Sequence, residues 1–267
     1  MNAFVQHFNF EFQTALRNKS LLLLYYLMPL GFYFAVGSIM TAINPFFTET
    51  MIPAMMVFAV LSGAILGLPN PQVEAREGGI LRSYRINGVP AASILAIPAL
   101  TSALHLLVVG LIITITAPVI FKAPAPVNLP LFALCYLLTI TACSGLGVLI
   151  GTISGNTQVT ILWSQLIYLP SMLIGGLMVP ADILPPALHK VSLLLPASHA
   201  MNAFRGLAMG LESTHPWWSL LVLLAGTALS FSLALLLFSW DSGNTSRRPA
   251  LALLALAPYA LAALLLP

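Results

Sequence analysis

Glu74, Arg76, Glu77, Arg82 and Arg85 fall within twelve positions, in a chain of 267 residues that holds only ten Lys and Arg and seven Asp and Glu. The chemistry open to such a mixture is recognition. Either its charges pair at the rim of a contact with another protein, or its arginines meet anionic lipid headgroups. From the residues alone the two stand level. Ile80, Leu81 and Tyr84 run through the same stretch, so a short helix there carries an apolar side that a partner can bury.

The other reactive side chains form no constellation. His105 is the only ionisable group besides the cysteines within an apolar run, and a buried neutral histidine with a hydrogen-bond partner is the expectation. His189, His199 and His215 lie ten and sixteen residues apart, which matches no tight metal-ligand motif. Ser171, Ser192 and Ser198 lack a G-x-S-x-G setting, and neither H-E-x-x-H nor paired carboxylates occur within an apolar run. Lys19, Lys122 and Lys190 are the only lysines, and none follows a glycine-rich turn. A phosphate-binding loop of the G-x-x-x-x-G-K-[ST] type is therefore missing, so the chain cannot hydrolyse ATP by such a loop on its own. Cys135 and Cys143 share one run; a helix would hold them about 12 Å apart along its axis, which excludes a disulfide between them there. No catalytic, cofactor or metal residue is assigned.

The elements that must position the charged stretch belong to a membrane. The chain is 59% hydrophobic and 6% charged, whereas a soluble domain has about a quarter of its residues charged. The net charge of +3 is too small and scattered to suggest nucleic acid. Residues 1–20 are too polar for a cleaved leader. They read as an amphipathic interfacial helix, with Phe4 or Val5, Phe8, Phe12, Ala15 and Leu16 at helical spacing. Six apolar runs follow, near 21–43, 51–69, 93–120, 131–152, 159–179 and 217–239, each close to the ~20 residues that cross the hydrocarbon core. The expected fold is all-α with six transmembrane helices. Run 250–267, interrupted by Pro258, has three placements open: a seventh span, a half-inserted hairpin or an interfacial segment. A span is the expectation.

No Asp, Glu, Lys or Arg lies inside the six runs, which counts against an ion-coupled carrier. With the N-terminus in the cytoplasm, Arg17, Lys19, Arg76, Arg82, Arg85, Arg247 and Arg248 lie inside and Lys122, Lys190 and Arg205 outside. Seven against three favours that orientation. The charged stretch is then cytoplasmic. Between runs five and six, Pro180, Pro185, Pro186 and Pro196 break helix continuation, which predicts two short helices lying at or dipping into the outer leaflet. Trp217 and Trp218 mark the interface where the sixth span begins. Gly63 and Gly67, and Gly147, Gly151 and Gly155, form GxxxG ridges that let helices approach closely, with packing inside the subunit the expected use.

Two passages resemble ABC-2 type permeases, the membrane subunits of ABC exporters with the type V fold. The first is EAREGGILRSYRINGVPAASI, where Glu77, Gly78, Gly79, Ile80, Leu81, Arg82, Gly88 and Pro90 fit the family's E-x-E-x-G-[TI]-L-x-x-[LY]-x-x-x-P-[VA]-[SA] passage. The second is LPASHAMNAFRGL, where Pro196 and Arg205 fit its L-P-x-x-x-x-x-x-x-x-R signature. The resemblance covers nearly all of residues 1–245, as one transmembrane domain. Residues 246–267 are a basic linker and an extra hydrophobic segment that the family often lacks. The loops 44–50 and 121–130 are too short for the branch with large ectodomains.

The resemblance implies a coupling helix formed by Glu74, Arg76, Glu77, Gly78, Gly79, Ile80, Leu81, Arg82 and Arg85, docked in a groove of a separately encoded ATPase. It implies two ATPase copies that bind ATP and Mg, no cofactor in this chain, and a second permease copy, identical or related. It also implies an outer gate region around Pro196 and Arg205, and a path between the copies lined by spans two and five. At Arg205, capping of carbonyls or binding of a phosphate stands level with a snorkelling interfacial anchor. The expected function is ATP-driven export of an amphiphilic or apolar substrate (a drug, an antibiotic or a lipid-like molecule) across a bacterial inner membrane. The alternative is a secondary transporter or channel working without ATP. A membrane-bound enzyme or assembly factor is a third class.

Overall fold

A helix apolar on every side has to be surrounded by other helices or by lipid, and residues 51–65 make such a segment. In the computed structural model, which describes residues 3–44, 47–179, 183–241 and 249–265, every residue from Met51 to Ile65 is buried. Pro180, Arg247, Arg248 and the side chain of Phe4 lie outside that description. All regular structure among the described residues is helical.

The amphipathic α1 (Ala3–Arg17) precedes α2 (Lys19–Ile43) and the central α3 (Phe47–Glu77). The short α4 (Ile80–Ile86) leads to α5 (Ala91–Phe121), α6 (Leu129–Ile153) and α7 (Thr157–Ile174). The small helices α8 (Pro186–Ser192) and α9 (Pro196–Ala203) come next. After α10 (Pro216–Leu237), 3-10 turns at Pro249–Leu256 run into α11 (Ala257–Leu265).

Five helices, α2, α3, α5, α6 and α10, are long and apolar enough to cross a membrane. The expected fifth run is α7, with 18 residues. Its first half carries Thr157, Gln158, Thr160, Ser164 and Gln165, and these polar side chains keep it out of the five. It nevertheless joins the two ends of the bundle. It starts beside Ser154, whose carbonyl accepts from Arg76, and finishes at Gly175, where an added Cβ would come within 3.0 Å of the Ala197 Cβ on α9.

Around α3 stand α2, α5, α6, α7 and α9. Glycines bring α6 against it. A Cβ at Gly147 would run into the Ala64 carbonyl oxygen, and one at Gly151 would lie 3.1 Å from the Pro69 carbonyl oxygen. The expected use of these ridges within the subunit is what the packing shows, although Gly155 is exposed and takes no part. Where α2 and α3 meet, both widen into π turns, at Leu23–Leu27 and Leu61–Gly67. Such a turn frees backbone carbonyls, and in lipid each needs a partner. Ser62 Oγ donates to the Leu24 carbonyl at 2.6 Å.

The far side of α6 takes α10, and residues 249–265 lie against α10 and α6. Tyr259 is fully buried in a space that a Cβ at Gly226 would fill. The extra segment is thus packed into the bundle, as an apolar helix shorter than the five.

Candidate functional site

The charged stretch is built by one interruption. At its C-terminal end α3 becomes polar, and Gly78 and Gly79 stop it: the Gly78 amide donates to the Glu74 carbonyl at 2.8 Å, and Gly79 has φ +74°. Nothing lies where a Cβ at Gly79 would sit, so the backbone conformation alone calls for glycine. α4 then leaves at a new angle and ends at Asn87–Gly88. There the Val89 amide donates to the Tyr84 carbonyl at 3.0 Å, before Pro90 opens α5.

Arg76 was expected to face a partner. Instead it is 4% exposed, and its guanidinium turns into the bundle. Nη1 donates to the carbonyls of Gly151 at 3.2 Å and Thr152 at 2.9 Å, and Nη2 to that of Ser154. These groups close α6, where the last carbonyls lack helical partners and carry the negative end of the helix dipole. A guanidinium, with five donors and a fixed charge, suits three of them at once. Gln72 adds a bond from Nε2 to Thr152 Oγ1 at 3.0 Å. Arg76 is a strut between α3 and α6. Leu81 is also buried, at 2% exposure.

The remaining expected residues, Glu74, Glu77, Gly78, Gly79, Ile80, Arg82 and Arg85, are exposed together on one end of the bundle. Ile86 joins them, the most exposed apolar side chain of α4. Arg82 pairs with Asp241, just beyond α10: Nη2 and Nε donate to the same carboxylate oxygen at 2.9 and 3.0 Å. That contact ties α4 to the C-terminal end of α10.

Neighbouring α1 lies along this end. His105 on α5 is sandwiched between the rings of Phe12 and Tyr25, at 4.9 and 5.2 Å, and its Nδ1 bonds the Tyr26 hydroxyl at 2.7 Å. The expected buried histidine with a partner is therefore what the structure shows, and it anchors α1. His7 and Glu11, one turn apart on the inward face of α1, approach to 3.6 Å, and the His7 ring lies 5.1 Å from that of Tyr84 on α4. Burial pushes the Tyr84 phenol up, with the Glu11 carboxylate adding to it.

At the opposite end of the bundle the expected gate is mostly internal. α8 is exposed, but α9 is buried from Pro196 to Met201. Pro196 opens α9 without needing an amide donor. His199 Nε2 donates to the Leu193 carbonyl at 2.8 Å, and Nδ1 faces Ser219 Oγ at 3.4 Å. A carbonyl only accepts, so the imidazole is the Nε2–H form on that side. Asn202 donates to the Thr214 carbonyl and to Ser219 Oγ at 2.9 Å, and accepts from Ser213 Oγ. Arg205 sits half-buried in the π turn Phe204–Ala208. The carbonyl of Ala208 accepts from the amides of Val127 and Asn128 at 2.9 and 3.2 Å.

Of the two spans expected to line a path between copies, α3 is buried within its own chain from Met51 to Ile65. α7 does face outward: Leu162, Leu166, Leu169 and Leu173 are 70, 62, 52 and 68% exposed, an apolar seam at spacings of four, three and four. Among the described residues no three His, Cys, Asp or Glu converge as metal ligands, and Cys135 and Cys143 are buried and free.

Sequence reasoning missed Asp241, Asn202 and the His7–Glu11 pair. Only the last had a local signal, its i, i+4 spacing on a helix.

The model of the ABC-2 type transporter family matches residues 2–209. The chain is similar to YvfS of Bacillus subtilis (strain 168), named as a transport permease, with 25% identity over 219 residues, 80% of this chain and 88% of that one. It is also similar to the inner membrane transport permease YhhJ of Escherichia coli (strain K12) and of Shigella flexneri. Both matches have 25% identity over 191 residues, 71% of this chain and 50% of theirs. This chain thus spans about half the length of YhhJ. No solved structure matches it.

Proposed function

The chain belongs to the ABC-2 type transporter family, a family of membrane transport permeases, and from that premise we propose that it is the permease subunit of an ATP-driven exporter. It is an integral membrane protein. In the proposed topology α7 is the fifth of six spans and α10 the sixth, 249–265 is a seventh, and the N-terminus and the charged end are cytoplasmic in a bacterial inner membrane. ATP and Mg would be held by two copies of a separate ATPase, this chain contributing no catalytic group, and a second permease copy would complete the path.

The observation that carries the reading is the exposed face of α4. Ile80 and Ile86 stand among Glu74, Glu77, Arg82 and Arg85, an apolar centre with a charged rim of the kind a protein partner buries. What lies behind it gives that face leverage. α4 continues α3 through the Gly78–Gly79 joint, Arg76 straps the end of α3 to the end of α6, and Asp241 ties α4 to α10. A push from an ATPase that closes on ATP would therefore reach three spanning helices. The apolar seam of α7 supports a path or a contact between permease copies. Such a surface suits amphiphilic or apolar cargo (drug, antibiotic or lipid-like), because apolar contacts discriminate weakly.

The test is co-purification with the ATPase subunit. Charge reversal at Glu77 (Glu77→Lys), or at Arg82 (Arg82→Glu), is expected to uncouple ATP hydrolysis from export while the thermal unfolding midpoint holds. Combining Arg82→Glu with Asp241→Arg restores the internal pair but not the outward charge, so export stays impaired if a partner reads Arg82. Normal export and normal co-purification in both single variants would defeat the docking assignment.

A further inference from the structure

Between α6, α7 and the C-terminal segment lies a cavity of about 330 Å³, capped by the residues that lead into α9. Every described residue that lines it is Leu, Ile, Ala, Pro or Trp. Such a lining gives water nothing to bond, and packed proteins leave few voids of this size empty. Leu166 and Leu253 belong to the lining and are exposed, so the medium at its mouth is the hydrocarbon of the bilayer. The shape adds to this. The lining follows α6 from Leu146 to Ile153, a rise of roughly 10 Å. It follows the 3-10 stretch from Ala250 to Leu256, a rise of about 12 Å. The cavity is drawn out along a spanning helix, the direction in which lipid chains lie. The wall at Pro249–Leu256 is an independent observation. A 3-10 run of eight residues is about twice the usual length, and side chains three apart share a face on it. Ala252 and Ala255 are buried against the bundle, while Leu251 and Leu254 are exposed. A wall meant to fill its own core would put the larger side chains inside; alanines there leave room for something else. That wall also lies beyond residues 2–209, the part that matches the family, so this chain's own extension completes the cavity.

We propose that this cavity binds one hydrocarbon chain of a bilayer phospholipid, lying parallel to α6 and wedged between the bundle and the C-terminal segment. The walls select hydrocarbon, the run along α6 selects a linear chain, and the open edge leaves the rest of the lipid in the bilayer. The site requires only that the bundle sits in lipid. It depends on neither an ATPase nor the direction of transport, so it stands or falls separately from the docking of α4.

Trp163 lines the cavity and serves as the reporter. With Trp217→Phe, Trp218→Phe and Trp240→Phe, it is the only tryptophan of the full chain. This chain, in detergent micelles, is titrated with phosphatidylcholine brominated midway along one acyl chain, which quenches indole fluorescence on contact. A quench that saturates at a low lipid fraction is expected, above the linear rise that chance contacts in the micelle give. Unbrominated phosphatidylcholine should reverse it by competition. Ala252→Phe takes the room of several methylenes and should weaken the saturable component about tenfold or more. Ala250→Phe, at the exposed start of the wall, is the second variant should Ala252→Phe fold poorly, and it should weaken binding several-fold. Leu236→Phe, on the exposed side of α10, should leave it unchanged. A purely linear quench, or a saturable component at full strength in both Ala252→Phe and Ala250→Phe, would overturn the site. So would saturation by the brominated free fatty acid with none by the phospholipid.

Discussion

The two ends of the bundle solve the same problem in opposite ways. At each, a helix is broken and a short one inserted, α4 at the charged end and α9 at the other. α4 keeps one buried apolar anchor, Leu81, and displays nearly everything else, held from behind by Arg76 and from the side by Asp241. α9 is sunk into the bundle, where His199 and Asn202 are bonded to the neutral groups of Leu193, Thr214 and Ser219. A break whose polar groups are spent inward is a piece of the scaffold. One whose polar groups remain outward, on a rigid base, is a surface for something else. Motif position alone does not separate the two, since each was singled out by the same kind of resemblance.

The sharpest way to break that comparison is to remove the base. Arg76→Met keeps much of the side chain's volume but leaves the carbonyls of Gly151, Thr152 and Ser154 without their charged donor. Hydrogen bonds to a charged group contribute about 1.5–3 kcal/mol each, less where water can replace them. A loss on the order of 3 kcal/mol is therefore expected, read as a lower thermal unfolding midpoint in detergent. Arg85→Met, on the exposed face, should fall within about 0.5 kcal/mol of the parent. Equal effects of the two would mean that α4 has no special base.

The far end supplies the next comparison. His199→Leu leaves the Leu193 carbonyl without its imidazole donor and the Ser219 hydroxyl with Asn202 alone, which costs about 1–3 kcal/mol. The change should lower stability without altering co-purification of an ATPase, whereas Glu77→Lys should do the reverse. If His199→Leu also released the ATPase, the separation of scaffold from surface would fail.

How far these roles were legible follows from how local their causes are. The spans were readable because apolar runs of sufficient length are local facts, whereas the Gly78–Gly79 break was not, because the expected coupling helix runs through both glycines. That α3 continues unbroken to Glu77 was not readable either, because charges beginning at Glu74 read as a loop when the carbonyls that receive Arg76 lie some 75 residues away. The Arg82–Asp241 pair spans 159 positions and leaves no pattern in either neighbourhood. The runs of α3 and α7 are both apolar, yet one is enclosed and the other bare. The polar residues of α7 and the all-round apolarity of α3 hint at that difference, but only packing decides it. Among the site residues, Glu77, Arg82 and Arg85 lie outward as their types suggested, while Arg76 and Leu81 turned inward because a neighbour's needs outweighed their own preference for water or partner.

The smallest expected effect concerns protons. Glu11 lies on the side of α1 that faces α3, α4 and α5 across a shared pocket, and burial raises its carboxyl above 4.5. For a carboxylate shifted upward, the folded contact binds the proton more tightly than the free chain does. Its contribution to docking is then fully present below 4.5 and is lost as pH rises through the raised value. Amide protection of α1 in hydrogen exchange, corrected for intrinsic rates, should fall as pH rises above 4.5, and Glu11→Gln should flatten that slope. Protonated His7 attracts the ionised form and works against the trend, so the difference between parent and Glu11→Gln carries the sign. α9 should respond in the opposite sense, since its one imidazole, His199, is pushed down by burial and only partly restored by the Leu193 carbonyl, so its contribution is fully present above 6.5 and is lost as pH falls. An α1 that tightened as pH rose, or an α9 that loosened along with α1, would remove the contrast between the two ends.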